Sequence, residues 1–204
     1  MGGLHRDEAT RECLLVLGTL DNDYQRTLSI TKFPKHLEQS AYRLRINAAA
    51  SFFEGVVNQY AKFILIGKSA PKPITDEERL KLENKRIDED GEVHDKFMEP
   101  DRRLLFVFRL YARVYRFNWD VDESSDQWKR ILNFLVLRNR LVHPSCSDDV
   151  KFSHIEMYHL EVAMKWLRHQ ASYLIQQYND SIVTRKVSNP IRRAGIRISH
   201  KIPD

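Results

Sequence analysis

The chain has 204 residues, 42% of them hydrophobic and 30% charged, the balance of a globular protein with a core of its own. Seven glycines and seven prolines are too few for a turn-rich all-β architecture and favour long helices. No apolar run approaches the roughly 20 residues that cross a bilayer, and the N-terminus lacks the charged-then-apolar pattern of a signal peptide. The two cysteines, Cys13 and Cys146, make neither a disulfide framework nor a metal site. The expected setting is a reducing cytoplasm.

In chain order, the segment from Asp7 to Leu28 reads as a weakly patterned helix. Pro34 suits the first turn of a second helix, expected to run to Ile66, with Gly67 as its stop. The centre of that helix, from Ala48 to Val57, is rich in small residues and predicts close contact with a neighbour. A linker from Lys68 to Pro73 follows. Thr75 with Glu78 is a capping-box pattern opening a short charged helix. Asp88 to Glu99 reads as loop, and Pro100 opens an aromatic-rich helix to about Phe117. Ser124 with Gln127 predicts a cap for a helix ending at His143. Ser153 with Glu156 predicts another, for a long helix to about Tyr178. On that last helix Ile155, Tyr158, Val162, Trp166 and Tyr173 form a stripe at helical spacing, expected to face the core. The expected fold is all-α, a bundle of five or six helices over residues 1–181.

The helix from Ser125 to His143 breaks its own pattern. Advancing about 100° per residue from Trp128, most of its circumference is apolar, and the polar strip near about 100–140° is narrow. Arg138 falls at about 280° and Asn139 at about 20°, both inside the apolar arc. A guanidinium buried without a partner costs several kcal/mol. Such a breach marks a functional site or an internal ion pair, for which Glu54 is a candidate partner. His143 follows at the helix C-terminus, where the dipole favours a protonated imidazole.

An arginine and a histidine together suit phosphodiester cleavage in RNA. The 2′-hydroxyl is an internal nucleophile, so no metal-bound water is required. Histidine moves the proton, and arginine stabilises charge on the phosphoryl oxygens. On an ideal helix the two side chains diverge by about 140°. Two copies about a twofold axis would bring them into one cleft, so a homodimer is the expected form.

The segment Arg138-Asn139-Arg140-Leu141-Val142-His143-Pro144 resembles the signature of the HEPN superfamily: an arginine, often with a polar residue after it, and a histidine four to six residues on. The resemblance implies a dimeric helical bundle with metal-independent endoribonuclease activity, as in toxins and antiviral defence effectors. It assigns Arg138 and His143 as catalytic and Asn139 as their polar helper, and it implies no cofactor. It also allows a cognate antitoxin or inhibitor protein as partner. Some members of that superfamily are inactive, so a non-catalytic helical module that binds RNA or a protein is the alternative.

The net charge of +5 resides in residues 182–204, where six cations stand against Asp204 alone. Arg192 and Arg193 in this segment, with Arg140 in the motif, are candidate contacts for RNA phosphates. The competing reading of the segment is a solvated end with no partner.

Overall fold

The computed structural model describes residues 4–30, 34–66 and 72–193, with side chains described over 10–30, 34–66 and 72–180. Among the described residues there are six α-helices: α1 (Leu4–Ser29), α2 (Glu38–Ile66), α3 (Asp76–Leu82), α4 (Pro100–Tyr115), α5 (Asp126–Val142) and α6 (His154–Arg193). The all-α bundle is thus the observed architecture. None of the described helices is long and apolar enough to cross a membrane.

Local chemistry sets most of the boundaries. Pro34 leads into a 3-10 turn, Lys35–Leu37, rather than directly into α2. Gly67, the expected stop of α2, lies outside the described residues. Thr75 accepts from the Glu78 amide while Glu78 accepts from the Thr75 amide, completing the capping box of α3. Pro100 sits in the first turn of α4. The cap of α5 is Ser125, not Ser124. The Ser124 hydroxyl is already bonded to the Asp122 carboxylate at 2.6 Å, which leaves Ser125 to accept from the Trp128 amide. Ser153 and Glu156 bond reciprocally at the start of α6.

Three elements differ from the sequence expectation. Residues read as loop contain an antiparallel hairpin, β1 (Lys85–Ile87) with β2 (Val93–Asp95), in which Ile87 faces Val93. Asp88 holds its turn by accepting from the amides of Asp90 and Glu92, with Gly91 at φ +83°. Second, α6 runs beyond Tyr178 to Arg193, because no glycine or proline interrupts the chain before Pro190. Third, of the stripe expected to face the core, Ile155, Tyr158 and Tyr173 are exposed, Val162 is half-buried, and Trp166 packs against the core and on Trp128. The core face of α6 is instead Met157, Leu160, Ala163, Met164, Leu167 and Leu174. Both stripes have helical period, so spacing alone does not say which one is inside.

The core is continuous across the helices. In α2, Ile46, Ala49 and Val56 are fully enclosed. A Cβ added at Gly55 would overlap Leu20 of α1, so this glycine permits the close approach that the small residues of α2 suggest. Tyr60 of α2 donates to the Ala171 carbonyl of α6 at 2.5 Å. Its ring packs on Phe108 and Tyr111 of α4.

Candidate functional site

Helix α5 buries Trp128, Ile131, Phe134 and Leu137, which repeat at three-residue intervals and define its inner face. The wide apolar arc predicts that most of this helix is buried, and the structure corrects that expectation. Leu132, Val136 and Val142 are exposed. Asn139 and His143 share that outer surface and are also exposed. The helix therefore has two apolar faces, one in the core and one in solvent.

Arg138 is not on the exposed face. Its guanidinium lies at the wall of a cavity of about 370 Å³ between α2, α4 and α5. Nη2 donates to Glu54 Oε1 of α2 at 3.0 Å and Nη1 donates to Asn139 Oδ1 at 3.2 Å. Arg138 thus has the acidic partner that its position in an apolar arc demands, and it is 29% exposed rather than enclosed. The two acceptors hold the planar fork in place at the cavity wall.

His143 is the C-cap of α5, with its amide donating to the Asn139 carbonyl. No hydrogen bond links its ring to Arg138, Asn139 or any other described side chain. Within one chain the structure therefore bonds Arg138 to Asn139, while the exposed His143 ring is not bonded to that pair.

Arg140 is engaged in the fold. Nη1 donates to Glu156 at 2.6 Å, Nη2 donates to the Lys151 carbonyl at 2.8 Å, and the guanidinium stacks over Phe152. Burial works against ionisation of Glu156, but the amide and hydroxyl of Ser153 and then Arg140 outweigh it, so its pKa lies below the ordinary value. Arg192 and Arg193 fall on the backbone of α6, and their side chains lie outside the described ones.

Residues not singled out by sequence hold the loop after His143. Asp149 accepts from the amides of Ser145 and Cys146, which lowers its pKa. Gln39 of α2 both donates to and accepts from the backbone of Phe152, and Arg43 donates to the Val150 carbonyl. These long-range contacts have no local sequence signal.

Two other groups carry possible ligand chemistry. Asp88, Glu92 and His94 on the hairpin place ligand atoms within 4.8 Å of one another. His94 is bonded to Asp88 Oδ2 at 2.7 Å there, while the other Asp88 oxygen holds the turn. A larger cavity of about 870 Å³ is lined by Lys72, Arg109, Arg113, Arg116 and Trp119. Its charge is offset, because Arg109 pairs with Asp120 and Glu123, and Arg113 with Glu78. No family model, curated protein or solved structure matches the chain.

Proposed function

We propose that the protein is a metal-independent endoribonuclease of HEPN type, acting as a homodimer whose α5 helices pair across the exposed face of Leu132, Val136 and Val142. The single observation that carries this reading is the state of Arg138. It is a guanidinium held by Glu54 and Asn139 at a cavity wall, on a helix whose other, exposed apolar face bears Asn139 and His143. An exposed apolar helix face flanked by polar groups suits an interface. Pairing two copies supplies the histidine that one chain does not bring to its own arginine.

In the reaction, the ring of His143 accepts the proton of the RNA 2′-hydroxyl as the oxygen–phosphorus bond forms. The bond from phosphorus to the 5′-oxygen breaks, and the partner's His143 protonates that leaving oxygen. Arg138 stabilises the negative charge that accumulates on the phosphoryl oxygens. The products are a 2′,3′-cyclic phosphate and a free 5′-hydroxyl. A reducing cytoplasm suits the two free thiols, and a toxin or antiviral role, with an antitoxin as partner, accords with the HEPN resemblance.

A second reading rests on the Arg138–Glu54 pair itself. An ion pair alone can account for an arginine in an apolar arc, which leaves a helical module that binds RNA or protein without cleaving. One comparison separates them. Arg138→Ala and His143→Ala are each expected to abolish RNA cleavage while keeping the helical circular-dichroism spectrum. Cleavage at the parent rate by either variant contradicts the assignment, and unfolding of Arg138→Ala favours the structural reading.

A further inference from the structure

The cavity beside Arg138 has a second guanidinium that sequence reasoning passed over. Arg103 of α4 lines the same wall. Its Nη2 donates to two neutral acceptors, Asn58 Oδ1 at 3.2 Å and the Leu82 carbonyl at 3.4 Å. Its Nη1 is enclosed and has no hydrogen-bond partner among the described residues. A charged donor left unsatisfied in this way is costly, and Arg103 has no carboxylate partner among the described residues, so an anion bound in the cavity that it lines would supply the missing counter-charge. Burial pulls the Arg103 pKa below the ordinary arginine value, in keeping with a cation that lacks a counter-charge. Glu54, the one acid on the wall, bonds to Arg138, so two cations face one carboxylate.

The rest of the wall is mainly apolar, with three aromatic rings, Phe53, Phe97 and Phe134. Phe53 and Phe134 are its buried rings, packed against each other at 5.6 Å between ring centroids. At the rim, Phe97 is 79% exposed, on the short segment joining β2 to α4. An aromatic ring in solvent is a poor contributor to the fold. On the same cavity wall as Arg103, it matches the aromatic-and-cation combination with which proteins hold single-stranded nucleic acid. The volume, about 370 Å³, is within the range of about 300–1,000 Å³ typical of small-ligand sites.

We infer that this cavity holds one nucleotide of single-stranded RNA adjoining the cleaved bond, with its phosphate on Arg103 and its base stacked on Phe97. The inference rests on the endoribonuclease reading of Arg138, and it adds a substrate class, unpaired RNA, and two recognition residues. A duplex would withhold its bases from Phe97.

The test uses the full chain carrying His143→Ala, so that RNA is bound and not cut. Anisotropy of a short fluorescein-labelled RNA single strand gives the affinity across a salt series. Phe97→Ala is expected to weaken binding by about tenfold and Phe97→Trp to restore it, because any large ring stacks. Arg103→Met is expected to reduce the salt slope by about one phosphate contact. The same sequence as a duplex is expected to bind less tightly. Phe97→Ala binding like its parent, or a duplex binding as well as the single strand, overturns the inference. If Arg103→Met does not keep its helical spectrum, the Phe97 and duplex arms decide alone. The two readings fail separately. Loss of stacking with Arg138 and His143 still essential for cleavage removes only the subsite. Stacking intact with a chain that never cleaves removes only the nuclease.

Discussion

Arg138 and Glu54, from two different helices, meet at 3.0 Å with Arg138 29% and Glu54 56% exposed. A pair this open is screened by solvent and contributes no more than about 1 kcal/mol to stability. Its stronger effect is on direction, since Glu54 and Asn139 together set the plane of the guanidinium. Glu54→Ala is therefore expected to lower kcat for RNA cleavage by roughly tenfold, because misplacement of a charge-stabilising group acts on the transition state. KM should change little and thermal unfolding by a few degrees at most. A drop in stability large enough to unfold the chain would make Glu54 a structural residue instead.

The exposed face of α5 is the second test. Val136 is 56% exposed, so Val136→Arg should change folding stability by less than about 0.5 kcal/mol. It places a charge in the centre of the proposed dimer contact, which needs about 1,200 Å² of total buried area to be stable. Sedimentation should report a dimer for the parent and a monomer for the variant, and cleavage should fall with dimerisation. A parent that is monomeric at micromolar concentration yet fully active contradicts the paired site.

The Arg140–Glu156 pair fastens α5 to α6 at the end that carries His143. The Glu156 pKa is depressed in the folded chain. Its contribution to stability is thus complete above the ordinary glutamate value and is lost as pH falls through the lower folded-state value. Denaturant unfolding over an acidic pH series should show this loss in the parent. In Glu156→Gln the corresponding part of the slope should vanish. An identical slope in both chains would show that Glu156 is not the titrating group.

Tyr60 supplies a control remote from the site. Its hydroxyl is buried and donates to the Ala171 carbonyl. That carbonyl lies inside α6 and retains its helical partner, so Tyr60→Phe is expected to cost only about 1 kcal/mol. For a chain of this length the midpoint should fall by roughly 2–4 °C, with cleavage unchanged at lower temperature. A fall several times larger would mean that the hydroxyl organises more of the core than this one bond.

The helices were legible in the sequence because caps and breakers act locally. Thr75 with Glu78, Pro100, and Ser153 with Glu156 each mark a start in the structure. Where two neighbours competed, as with Ser124 and Ser125, the outcome depended on Asp122, which takes the first hydroxyl. The hairpin escaped because its three-residue strands are exposed throughout and have no inward face to produce alternation. Three members of the α6 stripe, Ile155, Tyr158 and Tyr173, face outward because helical period reports a face and not its direction, while Trp166 does pack against the core. At the site, Arg138 announced itself by falling in an apolar arc, and Glu54 was a foreseeable partner. Arg103 and Phe97 did not, since what places them together is a cavity formed by three helices and the segment after the hairpin.

The most direct test of the proposed chemistry is the identity of the ends left on RNA cut in excess chelator. With an internal 2′-hydroxyl as nucleophile, cleavage should persist and yield a 2′,3′-cyclic phosphate, or its hydrolysed form, opposite a free 5′-hydroxyl. Cleavage that stops in chelator and returns with magnesium, leaving a 5′-phosphate and a 3′-hydroxyl, would contradict the mechanism.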